Sequence, residues 1–120
     1  MDIDLIKYNT IPKLFWRQVE EFSDNISIWE KQSGLWQSTT WGEYGKTSKE
    51  VGNALLASGV QKGDKVSILS KTRPEWVMSD MGIICSGFIT APIYQSNTNE
   101  QVFYIADQSD SVLAIVEDQE

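Results

Sequence analysis

The chain has 120 residues, 41% of them hydrophobic, which is enough apolar content to build a core and excludes an intrinsically disordered composition. A formal charge of -7 and a pI near 4.5 argue against nucleic acid and anionic membrane surfaces as partners, because both recognise a basic footprint. The sequence has no histidine and a single cysteine, Cys85, so these residues supply no internal disulfide, no CxxC pair and no histidine general base.

At the amino terminus, Met1 to Lys7 carries two aspartates where a secretory signal would begin with a basic region. No apolar run reaches the length of a bilayer span, and a cytoplasmic chain is expected. Thr10 followed by Ile11 and Pro12 reads as an N-cap with proline in the first turn, and Leu14, Phe15, Val19 and Phe22 recur on one helical face. A helix is predicted over residues 10–23. Two strand-like runs follow, Ile26 to Glu30 and Leu35 to Thr40. Lys31, Gln32, Ser33 and Gly34 separate them with the length and glycine usage of a hairpin loop, and Trp29 and Trp36 are expected to pair across it.

Thr40, Trp41, Gly42 and Glu43 spell a capping box that opens a helix over 41–58, with Tyr44, Thr47, Val51, Leu55 and Leu56 as its apolar stripe. Gly59 is placed to end it in the left-handed conformation, with Val60 beyond. From here an apolar run, a helix and another apolar run occur twice, through Lys65 to Ser70, Phe88 to Tyr94 and Val112 to Val116. Short β-branched runs separated by helix-length segments read as parallel strands with right-handed helical crossovers, so 65–116 is expected to form a βαβαβ unit. The intervening helices open on a capping box at Thr72 to Glu75, with Pro74 in its first turn, and a weaker box at Thr98 to Gln101. Pro92 requires its strand to lie at a sheet edge or to leave the ladder there.

The expected fold class is therefore α/β, with a β-hairpin and a partial parallel sheet. Parallel strands are stable when both faces and both neighbours are supplied. Three such strands look like half a domain.

Thr72 to Glu75 lies between a strand and a helix, where open α/β sheets bind anions, and there Arg73 could meet a phosphate. In the plainer reading Thr72 and Glu75 cap the helix while Arg73 pairs with a nearby carboxylate. Cys85 sits among Ile83, Ile84 and Gly87 and reads as a packed thiol, since nothing nearby lowers its pKa. Trp16, Trp29, Trp36 and Trp41 suggest either stacking on a ligand or core and hairpin packing, and the acidic charge disfavours bases as the ligand. Asp107, Asp110, Glu117 and Asp118 lack calcium-loop spacing and read as solvated surface carboxylates.

Thr40-Trp41-Gly42-Glu43-Tyr44, then Ile84-Cys85-Ser86-Gly87 leading to Ala91-Pro92-Ile93-Tyr94, resemble the first two core motifs of the adenylate-forming enzymes, the acyl-CoA synthetase superfamily. Nearly the whole chain takes part. Arg73-Pro74-Glu75-Trp76 followed by Asp80, and Pro92-Ile93-Tyr94 followed by Asn97-Thr98 and Glu100-Gln101, are similar to the long-chain fatty acid synthetases in particular. Cys85-Ser86 stands where small residues such as alanine are usual before the glycine, and Phe88-Ile89 is bulkier than in most members of that family.

The resemblance implies that residues 1–120 are the incomplete N-terminal part of an AMP-binding ligase domain. It implies ATP, Mg2+ and coenzyme A as cofactors of the full-length enzyme, with none bound by this fragment. The implied partners are a fatty acid substrate and the downstream remainder of the polypeptide, with no nucleic acid and with peripheral membrane association left open. The family's phosphate loop, ribose-binding acid and adenylate-aligning lysine all lie further downstream, and no GxxxxGK or GxGxxG cradle occurs here. No catalytic, cofactor-binding or metal residue is carried over onto this chain. The alternative is a self-contained flavodoxin-like binding or interaction domain without enzymatic activity.

Overall fold

The computed structural model describes residues 3–118 and orders them as α1 (Ile11–Glu21), β1 (Ile26–Gln32), β2 (Leu35–Thr40), α2 (Trp41–Ala57), β3 (Lys65–Leu69), α3 (Pro74–Cys85), β4 (Ile89–Ile93), α4 (Asn99–Ser109) and β5 (Leu113–Val116). They form two compact units, one ending at Thr47 and one beginning at Ser48.

In the first unit the Thr10 hydroxyl accepts from the Lys13 N–H at 3.3 Å and caps α1. Phe15 is the buried residue of that helix, edge-on to Trp16, Trp41 and Tyr44 at centroid distances of 5.2, 6.2 and 4.8 Å. Aromatic packing thus accounts for Trp16 and Trp41. It does not account for Trp29 and Trp36, which are 58% and 63% exposed.

The hairpin turn is tighter than the sequence suggests. Lys31 and Gln32 belong to β1, Gln32 pairs with Leu35, and the loop is Ser33 and Gly34 alone, with φ of 48° and 82°. Two successive positive φ angles suit a two-residue turn whose twist matches the strands. The shortened loop sets the register so that Trp29 faces Ser38 and Trp36 faces Lys31, and the two indoles are diagonal neighbours rather than a pair.

α2 begins on the expected capping box, with the Thr40 N–H donating to Glu43 at 2.8 Å and the Glu43 N–H donating to the Thr40 hydroxyl at 3.2 Å. Its stripe holds for Tyr44 and Leu55, whereas Leu56 is exposed. In the second unit Gly59 takes φ +90° and the Val60 N–H returns to the Leu55 carbonyl, closing the helix.

β3, β4 and β5 are parallel in the order β4-β3-β5. Register places Val66 beside Leu113 and Ile68 beside Ile115. These side chains meet Leu55, Val60, Ile83 and Phe88 in the core of this unit. Close approach of α2 and α3 requires glycine. A Cβ on Gly82 would lie 2.6 Å from the Ser48 carbonyl oxygen and 2.8 Å from Val51 Cβ.

The opposite face of the sheet is thinly covered. α4 has no buried residue, Phe103 and Tyr104 are exposed on it, and Val116 on β5 is also exposed. Ser67 and Ile93 are buried on this face, so what stands open is its β5 side and the outer surface of α4.

Candidate functional site

Two strands, β3 and β5, end beside one another, and the turn from β3 into α3 crosses their carboxyl ends. A cleft of about 210 Å3 opens there, floored by Ile68, Ile115, Val116 and Trp76 and rimmed by Ser70, Arg73, Glu75 and Glu117. This is the end of an open sheet at which α/β proteins place their ligands.

The helix start differs from the predicted capping box. Arg73, not Thr72, is the N-cap, and no side chain caps α3. Pro74 explains the shift: proline belongs at the first helical position, where its missing N–H would have been an orphan. Glu75 is thereby released from capping and grips Arg73 instead. Arg73 Nε donates to Glu75 Oε2 at 2.7 Å and Nη2 donates to Oε1 at 3.1 Å, a two-pronged pair.

The third prong of the guanidinium reaches a residue far away in sequence. Arg73 Nη1 donates to Glu117 Oε1 at 3.1 Å, while Glu117 Oε2 accepts from the Lys71 N–H at 2.9 Å and the Ser70 hydroxyl at 3.3 Å. Glu117 is therefore no solvated surface acid. Its side chain is 18% exposed, and it fastens the end of β5 to the β3–α3 turn.

Electrostatics follow from these contacts. The Lys71 amide, then the Lys71 ammonium, Ser70 and Arg73, hold the Glu117 carboxyl below the ordinary glutamate range against the opposing effect of burial. The Arg73 guanidinium does the same for Glu75. In return Arg73 is held in its charged form, chiefly by Glu75 and then by Glu117.

Of the two sequence readings of Arg73, the carboxylate pair is the one observed. Three of its five N–H donors are engaged by Glu75 and Glu117, and those two carboxylates line the cleft and would repel a triphosphate there. Nor do Asp107, Asp110, Glu117 and Asp118 converge, since no group of three or more acidic or thiol ligands suited to a metal occurs among the described residues. Cys85 is half-buried at the end of α3.

Comparison with known proteins places the chain. Residues 15–120 match the family model described as AMP-binding enzyme. The long-chain-fatty-acid–CoA ligase heimdall of Drosophila melanogaster is 33% identical over 113 residues, a match covering 91% of this chain and 17% of that protein. The long-chain-fatty-acid–CoA ligase FadD15 of Mycobacterium bovis is 36% identical over 84 residues, covering 70% of this chain and 14% of that one.

Among solved structures, the fatty acid AMP ligase from Legionella pneumophila superposes with a TM-score of 0.88 at 17% identity, over 97% of this chain and 21% of that one. The N-terminal subdomain of Klebsiella oxytoca NpsA gives 0.81 at 17% identity, over 92% of this chain and 28% of that one. The chain thus spans about a sixth of the length of the curated relatives it matches. With its family match running from Phe15 onward and its fold that of the amino-terminal part of adenylate-forming enzymes, the chain belongs to the AMP-binding enzyme family.

Proposed function

We propose that these residues are the amino-terminal segment of a long-chain fatty acid–CoA ligase of the AMP-forming type. The whole polypeptide would activate a fatty acid with ATP to an acyl-adenylate, releasing pyrophosphate, and then transfer the acyl group to coenzyme A, releasing AMP. The observation that carries this reading is the pairing of a family match over residues 15–120 with relatives that bear that ligase name and extend far beyond the matched region.

In this reading ATP, Mg2+ and coenzyme A are held by downstream polypeptide, and no step of the reaction is assigned to the described residues. Their role is to build the first part of the sheet, with the cleft side chains locked in place. Stabilising an adenylation transition state needs donors around the triphosphate and a divalent metal to spread its charge. Those groups would come from downstream polypeptide. Residues 1–120 alone are accordingly inactive.

The test is coupled detection of AMP, pyrophosphate and acyl-CoA from the whole gene product given ATP, Mg2+, coenzyme A and fatty acids of graded length. Fatty-acid-dependent formation of all three products is expected. Turnover only with a carboxylic acid of another class, or no adenylate with any, would sink the reading.

A further inference from the structure

The first unit holds a tryptophan face in water that its own packing does not use. Across the hairpin Trp29 faces Ser38 and Lys31 faces Trp36. Opposed residues share a face, as do alternate residues along a strand, so Trp29, Lys31, Trp36 and Ser38 lie on one side and Glu30, Gln32, Leu35 and Gln37 on the other. Both indoles are more than half exposed, and the Lys31 ammonium stands 6.0 Å from the centre of the Trp36 ring. The two-residue turn at Ser33 and Gly34 fixes this arrangement.

The chain's acids stay off that face. Asp and Glu outnumber Lys and Arg by 17 to 10, yet Lys31 is the charged member of the tryptophan side. Glu30 belongs to the far side, where it accepts from the Gln32 amide at 2.8 Å.

We propose that the Trp29–Lys31–Trp36 face docks on a zwitterionic phospholipid bilayer, with the indoles among the headgroups and Lys31 reaching a lipid phosphate. Three observations favour this occupant. Indole, an apolar ring with a polar N–H, and lysine, an apolar stem with a charged tip, are the side chains that settle at a membrane boundary. Protein laid over the face would bury the Lys31 ammonium where the face supplies no carboxylate, whereas headgroup phosphates meet it in water. The face is also small: seven residues of β1 and two strands give roughly 200 Å2, against the roughly 800 Å2 that each partner of a stable protein pair contributes. A bilayer needs no matching outline, and docking on it through so small a face is weak and reversible. The formal charge of -7 sets the lipid class, since an anionic surface repels the chain and a phosphatidylcholine surface does not. The choice of a bilayer rests in addition on the ligase reading, because each buried CH2 favours the membrane and a long-chain fatty acid is met mostly there.

Flotation of the whole gene product with phosphatidylcholine vesicles tests this, with its mass in solution and its fatty acid adenylation measured on the same sample. Trp29→Ala/Trp36→Ala should bind at least about tenfold more weakly than the unaltered protein, and adding phosphatidylserine should not strengthen binding. Trp29→Phe/Trp36→Phe keeps both rings, so it should still bind, yet lose most of the fluorescence quenching that brominated phosphatidylcholine causes in the unaltered protein. No binding by the unaltered protein, equal binding by the alanine variant, or unchanged quenching in the phenylalanine variant would overturn the proposal. A dimer that the alanine variant converts to a monomer would overturn it in favour of a second copy. Acrylamide quenching equal in the unaltered and phenylalanine proteins before vesicles are added would overturn it in favour of cover by downstream polypeptide. Vesicle binding that needs both indoles, in a protein that fails to adenylate fatty acids, would leave the docking face in place and refute the ligase reading alone.

Discussion

Glu117 ties together segments that lie far apart in sequence. One carboxylate accepts from the Lys71 amide, the Ser70 hydroxyl and Arg73, which joins segments 44 to 47 residues apart. Because its pKa is lowered in the folded chain, its contribution to stability is present in full above the ordinary glutamate value of about 4.3 and is lost as pH falls through the lowered one. Glu75 titrates in the same direction. Glu117→Gln should therefore lower the midpoint of thermal unfolding at pH 7 and reduce the loss of stability between pH 5 and the acid limit, since the neutral amide has no charge to lose. An unchanged acid limb, followed by circular dichroism, would contradict this.

Ser48 makes the opposite case. Its side chain is 1% exposed in the interior of α2 and its hydroxyl has no partner, so Ser48→Ala removes an unsatisfied polar atom and improves helix propensity. A gain of about 0.5–2 kcal/mol in urea unfolding is expected.

At the scale of elements, the packing of α2 on α3 depends on having no side chain at Gly82. A methyl group there would meet the Ser48 carbonyl and Val51 at less than 3 Å, and backbone cannot swing aside as a side chain can. Gly82→Ala should cost about 1–3 kcal/mol even though alanine is the better helix former, and a neutral result in urea titration would refute so close a contact.

Element order, the parallel repeat and the capping boxes at Thr40 and Thr98 were legible because each rests on neighbours in sequence. What was misread has definite causes. Lys31 and Gln32 looked like loop because β1 and β2 are largely exposed on both sides, which weakens the alternation that marks a strand. The α3 cap was set one residue early by matching threonine to glutamate, although Pro74 already fixed the first helical position. The Arg73–Glu117 contact had no local signal at all. Only the β3–β5 register brings residue 117 to the turn, and no periodicity encodes that pairing.

At the scale of the whole molecule, one sheet face is fully built, while the other is covered over Ser67 and Ile93 and left open toward β5. Val66, Ile68, Leu113 and Ile115 meet helices on the core side, whereas Val116, Phe103 and Tyr104 stand exposed. Apolar surface of this kind marks a place where more protein packs. The fold is that of the front part of a solved fatty acid AMP ligase, of which the chain covers 21%.

The most direct measurement of the central claim is fatty-acid-dependent exchange of labelled pyrophosphate into ATP, run side by side on the whole gene product and on residues 1–120. The account predicts exchange by the whole polypeptide and none by the 120-residue chain. Exchange by residues 1–120 alone, or its absence from the whole polypeptide across all fatty acids tried, would contradict it.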